Sequence, residues 1–272
     1  MLPPPHKHGA ALVTGASSGI GLALATALGK AGHNVILTAR RTAELRALAD
    51  KLSADYSIRA EAVTCDLSDR SAPEQLSAAV DELGLDVDVL VNNAGVGSTG
   101  PFQHADLTQQ LAIVRVKVDA AVNLTGHFLP GMLRRRHGGI LNVSSTTGFQ
   151  PLANSATYAA ANAFVLSFTE ALHTDLAGTG VIATALCPGP VKTDLWNESG
   201  SSASSLASGL PSPLWMSPDE VAEAGIAGLR AGKRVVVPGV LNRLGALSGQ
   251  HAPRGLLLRL AAAVAPDSDG PH

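Results

Sequence analysis

The sequence predicts an α/β fold: one doubly wound parallel sheet of about seven strands with helices on both faces. Two observations carry this. Short apolar runs alternate with longer amphipathic stretches through most of the 272 residues. The runs are apolar nearly throughout instead of alternating, which is how strands read when helices cover both sheet faces. Strand–helix alternation then implies right-handed βαβ units in one parallel sheet.

The strand candidates are Ala10–Thr14, Asn34–Ala39, Arg59–Thr64, Val87–Asn92, Gly139–Ser144, Val181–Leu186 and Arg234–Pro238. Helical periodicity appears near 19–31, 42–53, 71–83, 106–127, 155–177 and 218–231. Ser217-Pro218-Asp219-Glu220 starts the last of these with a cap residue, then Pro, then acids in the first turn. Gly178 and Gly232 follow two other helices, where left-handed caps are common. Residues 1–239 read as one domain. Within it, 194–216 is too long for an ordinary connection and reads as a lid or a disordered insert. Residues 240–272 form a helical extension, with Leu241, Leu244 and Leu247 at helical spacing and a frayed end from 265.

Composition narrows the function classes. A hydrophobic fraction of 46% with 15% charged residues supports a substantial core, and a net charge of −2 argues against nucleic acid. Aromatics are only 3%, too few for base-stacking platforms. Cys65 and Cys187 lie in no zinc-ligand spacing, so no metal is expected; reduced core thiols are the expectation, with a single disulfide left open. The Pro- and His-rich start has no apolar signal-peptide core, and no run reaches the ~20 apolar residues of a membrane span. A cytoplasmic protein is the expectation.

Thr14-Gly15-Ala16-Ser17-Ser18-Gly19-Ile20-Gly21 follows the first strand and opens the first helix. Its glycines allow a tight turn and close approach of backbone to a diphosphate, and a helix N-terminus supplies N–H donors and partial positive charge. In this context the turn reads as the phosphate site of a Rossmann-like fold. After the second strand come Arg40 and Arg41, where an NAD-binding fold usually has an acid for the ribose 2′-hydroxyl. A guanidinium there pairs with a 2′-phosphate instead, which points to NADP(H); the plainer alternative is an exposed arginine pair.

Further motifs follow in order: Asn92-Asn93-Ala94-Gly95, Asn142-Val143-Ser144-Ser145, Tyr158 thirteen residues beyond Ser145, and Pro188-Gly189-Pro190-Val191-Lys192-Thr193. With the TGxxxGxG turn they resemble the short-chain dehydrogenase/reductase family from Ala10 to about Gly239. The resemblance implies cofactor binding by Gly15, Ser17, Ser18, Gly19, Ile20, Gly21, Arg40, Arg41, Asp66, Leu67, Asn93, Ala94, Gly95, Tyr158, Pro188, Gly189, Val191 and Thr193. Asp66 would accept from the adenine amino group, unless it only initiates the turn Asp66–Asp69. Asn93 and Ala94 would line the adenosine, and Thr193 with the Val191 backbone would hold the carboxamide.

Carbonyl reduction needs a proton donor at the carbonyl oxygen. A phenol, at about pKa 10, serves only when its surroundings favour the ionised form. By resemblance Tyr158 is that acid and Ser145 binds the substrate oxygen. The family's lysine, four residues after the tyrosine, is here Asn162, which carries no charge. At position 117, 28 residues before the serine, where the family often has Asn, the chain has Lys117 among Ile113, Val114, Val116 and Val118. The two residue types look exchanged. The expectation is that Lys117 reaches toward Tyr158 and supplies the charge, while Asn162 holds ribose hydroxyls or a water. The alternative is a surface lysine lying along apolar neighbours.

Candidates for the substrate side are Gly97, Ser98, Phe102, Phe149, Gln150, Leu152, Leu195, Trp196, Trp215 and Met216, equally readable as core or loop packing. They suggest a lipophilic ketone or aldehyde, or its alcohol. The alternatives are other chemistry on this scaffold (an isomerase, dehydratase or imine reductase) and a silent NADP(H)-binding protein. The resemblance also implies a homodimer or homotetramer. Arg243, Arg254 and Arg259 among leucines would suit a membrane surface, but packing on the domain or on a partner subunit is the preferred reading of the tail.

Overall fold

The structure, a computed structural model, describes residues 2–192 and 212–255. Seven parallel strands form one sheet: β1 (Gly9–Thr14), β2 (Asn34–Ala39), β3 (Ala60–Thr64), β4 (Asp86–Asn92), β5 (Gly138–Val143), β6 (Val181–Leu186) and the short β7 (Val235–Val236). Their order is β3-β2-β1-β4-β5-β6-β7. The chain reverses its winding between β1 and β4, and a crevice opens there beyond the carboxyl ends of the strands.

The helices are α1 (Gly19–Lys30), α2 (Thr42–Tyr56), α3 (Ala72–Glu82), α4 (Leu107–Val114), α5 (Ala120–Arg135), α6 (Ala156–Asp175), α7 (Pro218–Arg230) and α8 (Val240–His251). Leu24, Leu28, Leu45, Leu52, Val221 and Ile226 bury α1, α2 and α7 on one face with Val13, Val89 and Val143. Leu76, Val80, Leu124, Phe128 and Met132 bury α3 and α5 on the other with Leu12, Leu90 and Ile140. Ser217 caps α7 in a complete capping box with Glu220, as its sequence implies. Gly178 and Gly232 take the left-handed conformation, at φ 78° and 66°.

Two expectations change. The stretch 106–127 is two helices, α4 and α5, joined by a π turn at Arg115–Asp119 in which the Ala120 N–H reaches the Arg115 carbonyl. Periodicity cannot reveal this, because one extra residue in a turn barely disturbs a short apolar pattern. Helix α5 also runs on to Arg135, through Pro130. In α8, Leu241, Leu244 and Leu247 are exposed, and Asn242, Ala246 and Gly249 are buried. The helix lies over the Thr146–Phe149 turn with its small and polar face inward. The segment 193–211 and residues beyond 255, with Thr193, Leu195, Trp196 and Arg259, lie outside the described residues.

Candidate active site

The Gly-rich turn and the end of β4 are built as one unit. The Thr14 hydroxyl donates to the Val91 carbonyl at 3.3 Å and accepts from the backbone N–H groups of Asn93 and Ala94 at 3.0 and 2.9 Å. The Asn93 amide returns the contact, donating to the Thr14 carbonyl at 2.8 Å. Gly15 sits at φ 67°, and a Cβ there would lie 2.9 Å from the Ala94 Cα. At Gly21 a Cβ would strike the Gly15 carbonyl oxygen. Asn93 therefore fastens the turn together with Thr14, a residue that the motif contained but sequence reasoning did not single out.

The start of α1 carries no side-chain cap. Its first N–H groups thus have no side-chain partner at the point where a diphosphate would lie, which fits an anion site. Arg41 folds back over the turn, donating to the Ser17 hydroxyl at 3.1 Å. Arg40 is exposed, and Leu67 is buried. Asp66 is exposed and accepts from the Ser68 N–H and hydroxyl, so in this structure it does initiate a turn. The Thr146 N–H donates to the Pro188 carbonyl, and Val191 pairs with Met216, which fixes the loop after β6. Gly189 lies against the Asn242 side chain of α8, which a Cβ there would force to shift.

The catalytic candidates gather beyond β5. Ser145 is buried and its hydroxyl accepts from the Thr147 N–H at 3.2 Å. Asn162 is wholly buried on α6, and its amide donates to the Tyr158 backbone carbonyl at 2.9 Å. Its Oδ1 is a buried acceptor with no partner, a group available to a hydroxyl donor. Neighbouring Ser144 donates to the Asn162 carbonyl and anchors the helix to the strand. Burial pushes the Tyr158 phenol above its ordinary range, while hydrogen bonds from the Asn162 and Ser145 side chains pull it back. Underneath, a buried polar chain runs from Asn92 to Asn142 to Thr169, with both links at 2.9 Å.

Lys117 is not a surface lysine. Only 7% exposed, it extends from the π turn, and its Nζ donates to the Val143 carbonyl at 2.8 Å. A Cβ on Gly95 would lie 2.7 Å from the Lys117 Cε, so the glycine makes room for the stem. Burial lowers the ammonium to about 8. The lysine borders a small cavity with Thr14, Asn92, Ala94 and Val143, at the root of the crevice. The groups acting on the Tyr158 phenol are Asn162 and Ser145, and the Lys117 ammonium is engaged with β5.

Of the substrate-side candidates, Phe149 packs on Leu166 and Cys187, and Met216 packs on the main core. Ser98 accepts from Gln110, and Phe102 is exposed. Cys65 and Cys187 are both free thiols, Cys187 fully buried. Among the described residues no helix is long and apolar enough to cross a membrane.

Comparison with known proteins agrees with this geometry. A family model described as short chain dehydrogenase matches residues 9–204. A protein of Streptomyces coelicolor, named provisionally as a ketoacyl reductase, is 37% identical over 87% of this chain and 96% of its own length. Among solved structures, a short-chain dehydrogenase from Sphingobium yanoikuyae in complex with NADPH superposes with a TM-score of 0.79 at 26% identity, covering 97% and 98% of the two chains. A variant of the actinorhodin polyketide ketoreductase with NADPH has a TM-score of 0.74 at 34% identity, covering 87% and 97%.

Proposed function

Because the chain belongs to the short-chain dehydrogenase/reductase family, we propose that it is an NADPH-dependent reductase of an apolar ketone or aldehyde, reversible as an alcohol dehydrogenase. The observation that carries this reading is the gathering of Tyr158, Ser145 and Asn162, with its partnerless Oδ1, beyond β5; the uncapped start of α1 supports it.

The residues present fit NADP(H). Gly15 and Gly21 allow the close packing of the turn and Gly19 takes a positive φ of 55°, which leaves the turn open to a diphosphate, and Arg41 with Arg40 stands where a 2′-phosphate would be met. Asp66, Leu67, Asn93, Ala94, Gly95, Pro188, Gly189, Val191 and Thr193 are proposed along the remainder of the cofactor. NADPH accompanies two of the solved relatives. When bound, it supplies the hydride that reduces the carbonyl carbon.

Ser145 positions the carbonyl oxygen, and Tyr158 gives it a proton through the phenolic O–H. Asn162 holds a ribose hydroxyl or a water with Oδ1. Lys117, held on the Val143 carbonyl and not among the groups in contact with the phenol, is proposed to act on Tyr158 only through the charge it places beneath the site. A ketone substrate agrees with the names of the ketoacyl and polyketide ketoreductase relatives. Exposed Val122 and Leu133 on α5 and Phe164 on α6 favour pairing of subunits through these helices.

A second reading, changed chemistry on the same scaffold, is favoured by one observation: the Lys117 ammonium is hydrogen-bonded to Val143 while the Tyr158 phenol stays above its usual range. The deciding experiment follows NADPH oxidation against a panel of apolar ketones and aldehydes, with Y158F and K117A alongside. The expected result is turnover by the wild type, lost by at least a hundredfold in Y158F and reduced, with an altered pH profile, in K117A. Tight NADPH binding without turnover of any carbonyl would overturn the proposal.

A further inference from the structure

The opposite end of the sheet holds a cluster that the reaction does not use. His6 precedes β1, Asp88 lies near the start of β4, and His137 precedes β5. The Nε2 of His6 is 2.7 Å from Asp88 Oδ2, and the Nε2 of His137 is 3.1 Å from Asp88 Oδ1. One potential ligand atom from each residue falls within 4.8 Å of the others. The two imidazoles meet edge to face, with ring centres 6.0 Å apart.

Burial separates this cluster from an ordinary surface group of charges. The Asp88 side chain is 3% exposed, while those of His6 and His137 are 40% and 38% exposed, so the carboxylate lies beneath two half-exposed imidazoles whose Nε2 atoms turn toward it. Gly9 permits the approach, since a Cβ there would collide with both His6 and Asp88. Arg135 also reaches Asp88 Oδ1, at 3.1 Å through Nη2, and its Nη1 is matched by Asp86 at 2.9 Å. The two carboxylates and one guanidinium leave one net negative charge beside the imidazoles. Arg135 does not engage Asp88 Oδ2, whose partner is His6 Nε2.

We propose that His6, His137 and Asp88 form a binding site for a divalent transition cation such as Zn²⁺. Two imidazole nitrogens and one carboxylate oxygen, with the outer side open to water, make the donor set of a tetrahedral zinc site. With ligands at about 2.0–2.2 Å from the ion, tetrahedral neighbours lie about 3.4 Å apart, so His6 Nε2 must draw back from Asp88 Oδ2 while the wider pairs, within 4.8 Å, close, which half-exposed imidazoles allow. Arg135 stays on the second carboxylate oxygen and orients it. The ion would staple the segment before β1 to the bases of β4 and β5. Ligands at positions 6, 88 and 137 form no local motif, so sequence spacing gives no sign of the site.

The test is Zn²⁺ binding by the metal-stripped full chain, measured by competition with a chromophoric chelator, on the wild type, H6A and H137A. Circular dichroism verifies that each is folded. The expected result is one Zn²⁺ per chain, bound at least tenfold more weakly in each variant, with Co²⁺ giving a four-coordinate visible spectrum in the wild type alone. Thermal unfolding should shift upward with Zn²⁺ in the wild type and not in H137A. Stoichiometry well below one in the wild type, or affinity unchanged in both folded variants, would overturn the proposal.

Discussion

Replacing Lys117 with Met gives a reading of what the buried charge costs. A fall from 10.5 to about 8 means that the folded protein disfavours the ammonium by about 3 kcal/mol relative to the unfolded chain. Below pH 8 both states are protonated, and wild-type folding bears the whole of that cost. Between pH 8 and 10.5 the unfolded chain holds the proton and the folded one has lost it, so wild-type stability rises with pH through this window. Methionine keeps most of the volume and carries no charge. It leaves the Val143 carbonyl without its lysine donor, a loss of about 1 kcal/mol. K117M should therefore be more stable than wild type by about 1–2 kcal/mol at pH 7. That advantage should shrink by about 2 kcal/mol at pH 10, where the wild-type amine is neutral in the folded state. Urea unfolding of both proteins at the two pH values measures this, and other groups that titrate alike in both cancel in the difference. An advantage of the same size at both pH values would refute the account of a buried, charge-disfavouring site.

Two further expectations come from sites distant from the lysine. R41A removes the guanidinium that folds over Ser17; the KM for NADPH should rise about tenfold to a hundredfold while that for NADH stays near its wild-type value, as initial rates with each cofactor would show. S217A removes one half of the capping box on α7; the urea midpoint should fall by the equivalent of about 1 kcal/mol, with the rate of NADPH oxidation unchanged.

Much of this molecule is readable in the amino-acid order because its signals are local. Fully buried parallel strands write themselves as continuous apolar runs, and Ser217-Pro218-Asp219-Glu220 carries the chemistry of a helix start in four residues. The Gly-rich turn is equally local, since Gly15 and Gly21 are needed for contacts within a few residues of themselves and with the end of β4. What stayed hidden is long-range. The acceptor for Lys117 is a backbone carbonyl 26 residues away, and no side-chain pattern encodes a carbonyl. Lys117 and Asn162 stand out in the sequence as two residue types in unusual places; the burial of Lys117 and its placement under Gly95 needed the packed sheet. The leucines of α8 mark the same limit, because helical spacing shows that a face is apolar without showing what that face meets.

The π turn at Arg115–Asp119 has a consequence for how this segment can vary. Because the Ala120 N–H reaches back five residues to Arg115, the stretch holds one residue more than a continuous α-helix of the same span. That surplus offsets the two halves by about 100° of rotation. Removing one codon in frame from this stretch would heal the ladder and swing either α4 or α5 out of phase with its own core contacts. The segment should accept many single substitutions at Val114 or Val118, yet be intolerant of a change in length. A library of single-codon deletions across 107–135 should therefore show its sharpest loss of folded protein within these five positions.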